Sequence, residues 1–126
     1  MSASLYHRPM TQTKPENQID YIELPARDLE RTKQFYNAAF GWKLEDYGPA
    51  YTSFSDGRMA GGFTTETSAP SQGLLLVIYR GDLAAAENQI KAAGGTIVKE
   101  IFSFPGGRRF HFADPNGNEL AVWSDQ

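Results

Sequence analysis

The chain has 126 residues, enough for one domain and too few for two independent ones. A net charge of −3, a pI near 5.3 and the lack of any basic run argue against nucleic acid as a partner. There is no cysteine, which excludes disulfides, thiolate nucleophiles and Cys-ligated metals.

Residues 1–18 are polar, carry Pro9 and Pro15 and show no period. They predict a flexible arm, or one that orders against a second subunit. No apolar leader core is visible there, and the longest apolar run, Leu74 to Tyr79, is too short for a bilayer. A soluble cytoplasmic protein is expected, with no membrane partner. Ile19 to Leu24 reads as a strand stopped by Pro25. Asp28 is a helix N-cap, and Leu29, Thr32, Phe35, Tyr36, Ala39 and Phe40 recur at helical spacing as one buried stripe. Gly41 sits where a left-handed cap belongs. Trp42 to Tyr47, Tyr51 to Ser55 and Met59 to Phe63 read as three strands.

The second half repeats the first. Asp28-Leu29 returns as Asp82-Leu83 and Gly41 as Gly95, 54 residues on. Leu74 to Tyr79 is a strand, Leu83, Ala86, Ile90 and Ala93 form a helix stripe, and Thr96 to Ile101, Arg108 to Ala113 and Glu119 to Trp123 are strands. Asp114 to Gly117 (DPNG) is a type I turn. The expected organisation is an arm over 1–18 and a single domain over 19–126. That domain comprises a module over 19–63, a polar linker over 64–72 and a module over 73–125. Repeats of one such unit bury a shared surface.

The segments ELPARDLERTKQFYNAAFGW, RGDLAAAENQIKAAGG and FADPNGNELAVW resemble the vicinal oxygen chelate superfamily of glyoxalase I, extradiol dioxygenases and the fosfomycin and bleomycin resistance proteins. The resemblance covers nearly everything after the arm. It implies an α+β fold of two βαβββ modules, the glyoxalase/bleomycin resistance/dioxygenase fold, whose curved mixed sheet surrounds a cavity. Metal-dependent members hold a ligand in the first and last strand of each module. The corresponding positions here are Tyr21, Gly61, Leu75 and Ala121, which offer no imidazole or carboxylate. The resemblance therefore implies a fold without its usual metal site, and neither a metal nor another cofactor is expected.

Strand alternation assigns the rest of the lining. With Tyr21 inward, Glu23 follows; Tyr79 follows Leu75, Phe63 follows Gly61, and Glu119 and Trp123 follow Ala121. Phe110 and Phe112 form a core pair, which turns Arg109 and His111 inward. Tyr51 and Ser53 are inward in the first module. A carboxylate in an apolar strand needs a partner or a role, and a histidine beside it suits proton transfer. The catalytic candidates are Glu23 and His111. The ligand-binding candidates are Tyr21, Tyr51, Phe63, Tyr79, Arg109 and Trp123, an aromatic set with a few polar groups. The expected function is binding of a small organic ligand. The alternatives are a metal-independent lyase or isomerase using Glu23 and His111, and a structural or regulatory module. A homodimer is also expected.

Overall fold

A computed structural model describes residues 14–66 and 73–126. The arm up to residue 13 and residues 67–72 of the expected linker lie outside the described residues. In chain order the elements are β1 (Ile19–Pro25), α1 (Leu29–Phe40), β2 (Lys43–Asp46), β3 (Tyr51–Ser55), β4 (Ala60–Thr64), β5 (Leu75–Tyr79), α2 (Leu83–Ala92), β6 (Thr96–Phe104), β7 (Gly107–Ala113) and β8 (Glu119–Ser124). The protein is α+β, and β-α-β-β-β occurs twice, as the repeat predicts. Contacts divide it into a first unit, Tyr21–Leu75, and a second that joins residues 14–20 to Leu76–Gln126.

In the first unit the strand order is β2-β3-β4-β1, antiparallel except for the parallel β4–β1 pair. The second unit repeats it as β5-β8-β7-β6, with β5–β8 parallel and the other pairs antiparallel. Within each unit the strands thus pair both parallel and antiparallel, the outcome of a helix crossover followed by hairpins. Both helices start on an aspartate whose carboxylate accepts a free first-turn N–H. Asp28 accepts from Arg31 N at 3.1 Å and Asp82 from Ala85 N at 3.0 Å. Gly41 ends α1 at φ 72°, a conformation that suits glycine.

The helices differ in how they pack. Leu83 and Ala86 of α2 are buried against Phe110 and Val122, with Ile90, Ile97, Ile101 and Phe112 around them. Helix α1 buries no residue, contrary to the expected stripe; Phe35 and Phe40 are 58% and 63% exposed. The cause is a pile of rings beneath it. Tyr36 stacks on Trp42 at 4.8 Å and lies 5.0 Å from Phe63, and Trp42 stacks on Phe54 at 4.6 Å. Tyr36 takes the inward direction. Phe35, rotated by roughly 100° about the helix axis, faces out.

The last residues of the expected flexible arm are in fact held in place. Asn17 N–H donates to Tyr79 O at 3.0 Å and Tyr79 N–H to Gln18 O at 3.3 Å. Glu16 accepts from Gly81 N at 3.0 Å, and Lys14 pairs with Asp125 at 2.9 Å. Met59, expected to open a strand, instead closes the turn before β4, where its N–H donates to Asp56 Oδ1 at 2.6 Å. Strand β6 runs past the expected end at Ile101 to Phe104, which pairs with Gly107 of β7 across a tight turn.

Candidate functional site

Residues directly opposite in a ladder share a face. In the first unit Tyr21 lies beside Ala60, Glu23 beside Gly62, Ser53 opposite Gly62 and Tyr51 opposite Thr64. Tyr21, Glu23 and Tyr51 therefore share the face away from α1, as the alternation predicts. Phe63 does not. It lies beside Leu24 and opposite Thr52, and its ring packs 5.2 Å from Phe54 in the pile under α1. The same parity corrects the expected ligand position Gly61 to Gly62, because Glu23 pairs with Gly62 as Val77 pairs with Ala121. A shift of one residue turns a side chain to the opposite face, and a Cβ at Gly61 would meet the Phe54 ring on the α1 side.

On this face Tyr51 is central. Its hydroxyl donates to Glu23 Oε2 at 3.0 Å and lies 2.8 Å from the hydroxyl of Tyr21. Tyr21 is 1% and Glu23 8% exposed. With its own proton on Glu23, Tyr51 accepts from Tyr21, so the three groups form a directed chain. A Cβ at Gly62 would collide with the Tyr51 phenol, so glycine there makes room for the ring.

In the second unit Arg109 pairs with Trp123, His111 with Ala121, and Tyr79 with Trp123. These four candidates share one face, opposite Phe110 and Val122. His111 is 2% exposed. Its Nδ1 lies 2.8 Å from Glu119 Oε2. Burial pushes the imidazole below its usual pKa. The Glu119 hydrogen bond opposes that shift, while the charges of Arg109 and Lys99 add to it. The ring is accordingly neutral at pH 7. Its single proton is assigned to Nδ1 by the carboxylate, leaving Nε2 as a lone pair. Nε2 is buried and has no hydrogen-bond partner among the described residues.

An aromatic ring packs beside this imidazole. Phe102 lies 5.8 Å from it, the Arg109 guanidinium sits 5.4 Å over Phe102 and 5.9 Å over Phe104, and Phe104 lies 6.2 Å from Trp123. Trp123 donates its indole N–H to Asp20 at 3.0 Å. Tyr79 donates to Asp125 Oδ1 at 2.8 Å, and its hydroxyl is pushed up to about 12 by burial and by that carboxylate. With their polar atoms engaged, Tyr79 and Trp123 are buried and meet edge to face at 5.4 Å.

The metal expected of a chelating relative has no matching donor set. Tyr21, Gly62, Leu75 and Ala121 supply one phenol between them, and it is hydrogen-bonded to Tyr51. No group of three or more His, Asp or Glu residues suited to an ion occurs among the described residues. A surface depression of about 370 Å³ beside the start of α1, lined by Arg27, Glu30, Asp46 and Pro49 among others, contains none of the candidates. Sequence reasoning turned Glu119 to the correct face but missed its pairing with His111. The signal was available: the DPNG turn sets Ala113 opposite Glu119, which makes His111 its diagonal neighbour. Phe102 and Phe104 were missed because two register shifts in β6 break the alternation.

Known proteins share this arrangement of elements. The model of the Glyoxalase/Bleomycin resistance protein/Dioxygenase superfamily matches residues 18–122. A glyoxylase-like domain-containing protein of Didymella fabae is 29% identical over 121 residues, which cover 83% of this chain and 91% of that one. The crystal structure of methylmalonyl-CoA epimerase from Mycobacterium tuberculosis superposes with a TM-score of 0.68 at 14% identity, covering 91% of this chain and 92% of that one. A superfamily member from Vibrio splendidus 12B01 gives 0.68 at 12% identity, covering 82% and 96%. At such identities the likeness is one of fold. The family match spans most of the chain and both βαβββ units: the chain belongs to the Glyoxalase/Bleomycin resistance protein/Dioxygenase superfamily.

Proposed function

We propose that this chain binds a small organic molecule that has an aromatic body and an O–H or N–H donor. The observation that carries this reading is the buried Nε2 of His111, a lone pair with no partner among the described residues. Leaving such an acceptor unsatisfied costs free energy that a donor-bearing ligand recovers. Tyr79, Phe102, Phe104 and Trp123 supply the apolar surroundings usual for such ligands. The test is a matched pair of probes, phenol and anisole, followed by ligand-dependent thermal stability and by NMR. Phenol is expected to bind about tenfold more tightly, the worth of one hydrogen bond. In His111→Phe the preference disappears. Equal binding of the two probes, or binding of neither, contradicts the proposal.

The same neutral imidazole favours a second reading, a metal-independent lyase or isomerase. A lone pair held at Nε2 by a carboxylate on Nδ1 is a competent general base. Glu23, linked through Tyr51 to Tyr21, is the other candidate for moving a proton.

A further inference from the structure

Strand β6 pairs irregularly with β7, and the irregularity changes which side chains share a face with His111. From Ile97 to Lys99 the strand advances two residues while β7 moves one, from Phe112 to His111. From Lys99 to Phe102 it advances three while β7 moves two, to Arg109. Each extra residue is a bulge, a device that re-aims side chains and is over-represented beside functional sites. With unbroken alternation Lys99 would share the face of Ile97 and Ile101. Instead those two isoleucines pack on the core of Leu83 and Phe110, while Lys99 and Phe102 turn to the face of His111 and Arg109.

Lys99 brings a positive charge to this face. Its ammonium lies 5.1 Å over the Phe102 ring, on which the Arg109 guanidinium also rests at 5.4 Å. Attraction to a ring face holds a cation in place without neutralising it. Lys99 makes no ion pair among the described residues. Two carboxylates are hydrogen-bonded to side chains of this face, Glu119 to His111 and Asp20 to Trp123, and neither pairs with Lys99. Phe102 lies 5.8 Å from the imidazole, so it is the common neighbour of the ammonium and the ring that keeps a lone pair. The fields of Arg109 and Lys99 both reach that imidazole, where they oppose its protonation. Two like charges beside one ring repel each other, and an anion bound near them relieves the repulsion.

We infer that Lys99 sets the charge specificity of this site: the molecule taken is an aromatic anion, with a carboxylate-type group for Lys99 and an O–H or N–H donor for His111 Nε2. This specificity rests on the binding reading proposed above and narrows it. The probes are 4-hydroxybenzoate, ionised at neutral pH, and its neutral counterpart 4-hydroxybenzamide, with phenol and anisole beside them. Binding to the full chain is followed by calorimetry. At low salt 4-hydroxybenzoate is expected to bind about fivefold more tightly than the amide, the upper worth of an exposed ion pair, and the contrast shrinks as salt is added. Lys99 is exposed, so its substitution spares the fold. Lys99→Gln removes the contrast between acid and amide and leaves the preference for phenol over anisole, whereas Lys99→Arg keeps both. Lys91→Gln, the same change of charge in the last turn of α2, leaves both as well. Equal binding of acid and amide, with phenol still preferred over anisole, overturns the inference while the binding reading stands. Equal losses through Lys91→Gln and Lys99→Gln overturn it too, since the charge would then act from a distance. No preference for phenol over anisole overturns both.

Discussion

His111 shows how one side chain's surroundings decide its chemistry. A free imidazole titrates near neutrality and exchanges tautomers. Here burial disfavours the charged ring, and Glu119 selects the tautomer with its proton on Nδ1. The same burial links the residue to stability. The folded pKa is depressed, so the unfolded chain binds more protons in the acid range. The stabilisation is complete above the unfolded value, about 6.5, and is lost as pH falls through the lower folded value. Unfolding free energy measured by urea titration should therefore fall on acidification from about pH 7.5 to pH 5. His111→Gln should flatten that dependence; an unchanged slope would show that His111 does not titrate as described. The residue scale is also where the sequence was least legible. It contained His111 and Glu119, but their pairing rests on a diagonal contact that only the register reveals.

At the level of elements, β4 shows how two adjacent glycines serve opposite faces. A side chain at Gly61 would strike the Phe54 ring under α1, and one at Gly62 would strike the Tyr51 phenol. Gly62→Ala should cost about 1–3 kcal/mol, since it displaces a ring that satisfies the buried Glu23. In a Tyr51→Ala background, the cost of Gly62→Ala should nearly vanish. Equal costs in both backgrounds, read from chemical denaturation, would show that Tyr51 and Gly62 are not coupled. The order of elements was legible in the sequence because caps, turn residues and periodicity agree: Asp28, Gly41, Asp82 and the DPNG turn all do what their chemistry predicts. The face of Phe63 was not, because two glycines in a row erase the alternation that would have fixed its parity. The exposure of α1 was hidden too. A helical stripe names the apolar residues, but it does not say that Tyr36 alone would join the ring pile with Trp42 and Phe63 while Phe35 and Phe40 stay exposed.

For the molecule as a whole, family membership settles the architecture and leaves the chemistry to the side chains. The duplication builds two units with the same strand order, yet it fills their equivalent faces differently. The first unit carries a hydrogen-bonded phenol–phenol–carboxylate chain; the second carries a carboxylate-held imidazole beside the Phe102 ring. Residues 14–18 tie down the second unit through Tyr79, Gly81 and Asp125. No helix among the described residues is long and apolar enough to cross a membrane. The central claim is that the second unit keeps an imidazole lone pair for a ligand's donor. It is tested most directly by nitrogen-15 NMR of His111 at neutral pH, with and without phenol. A protonated Nδ1 and a bare Nε2 are expected in the free protein, with the Nε2 resonance moving towards that of a hydrogen-bonded nitrogen as phenol is added. A proton on Nε2 in the free protein, or an Nε2 resonance unmoved by saturating phenol, would contradict it.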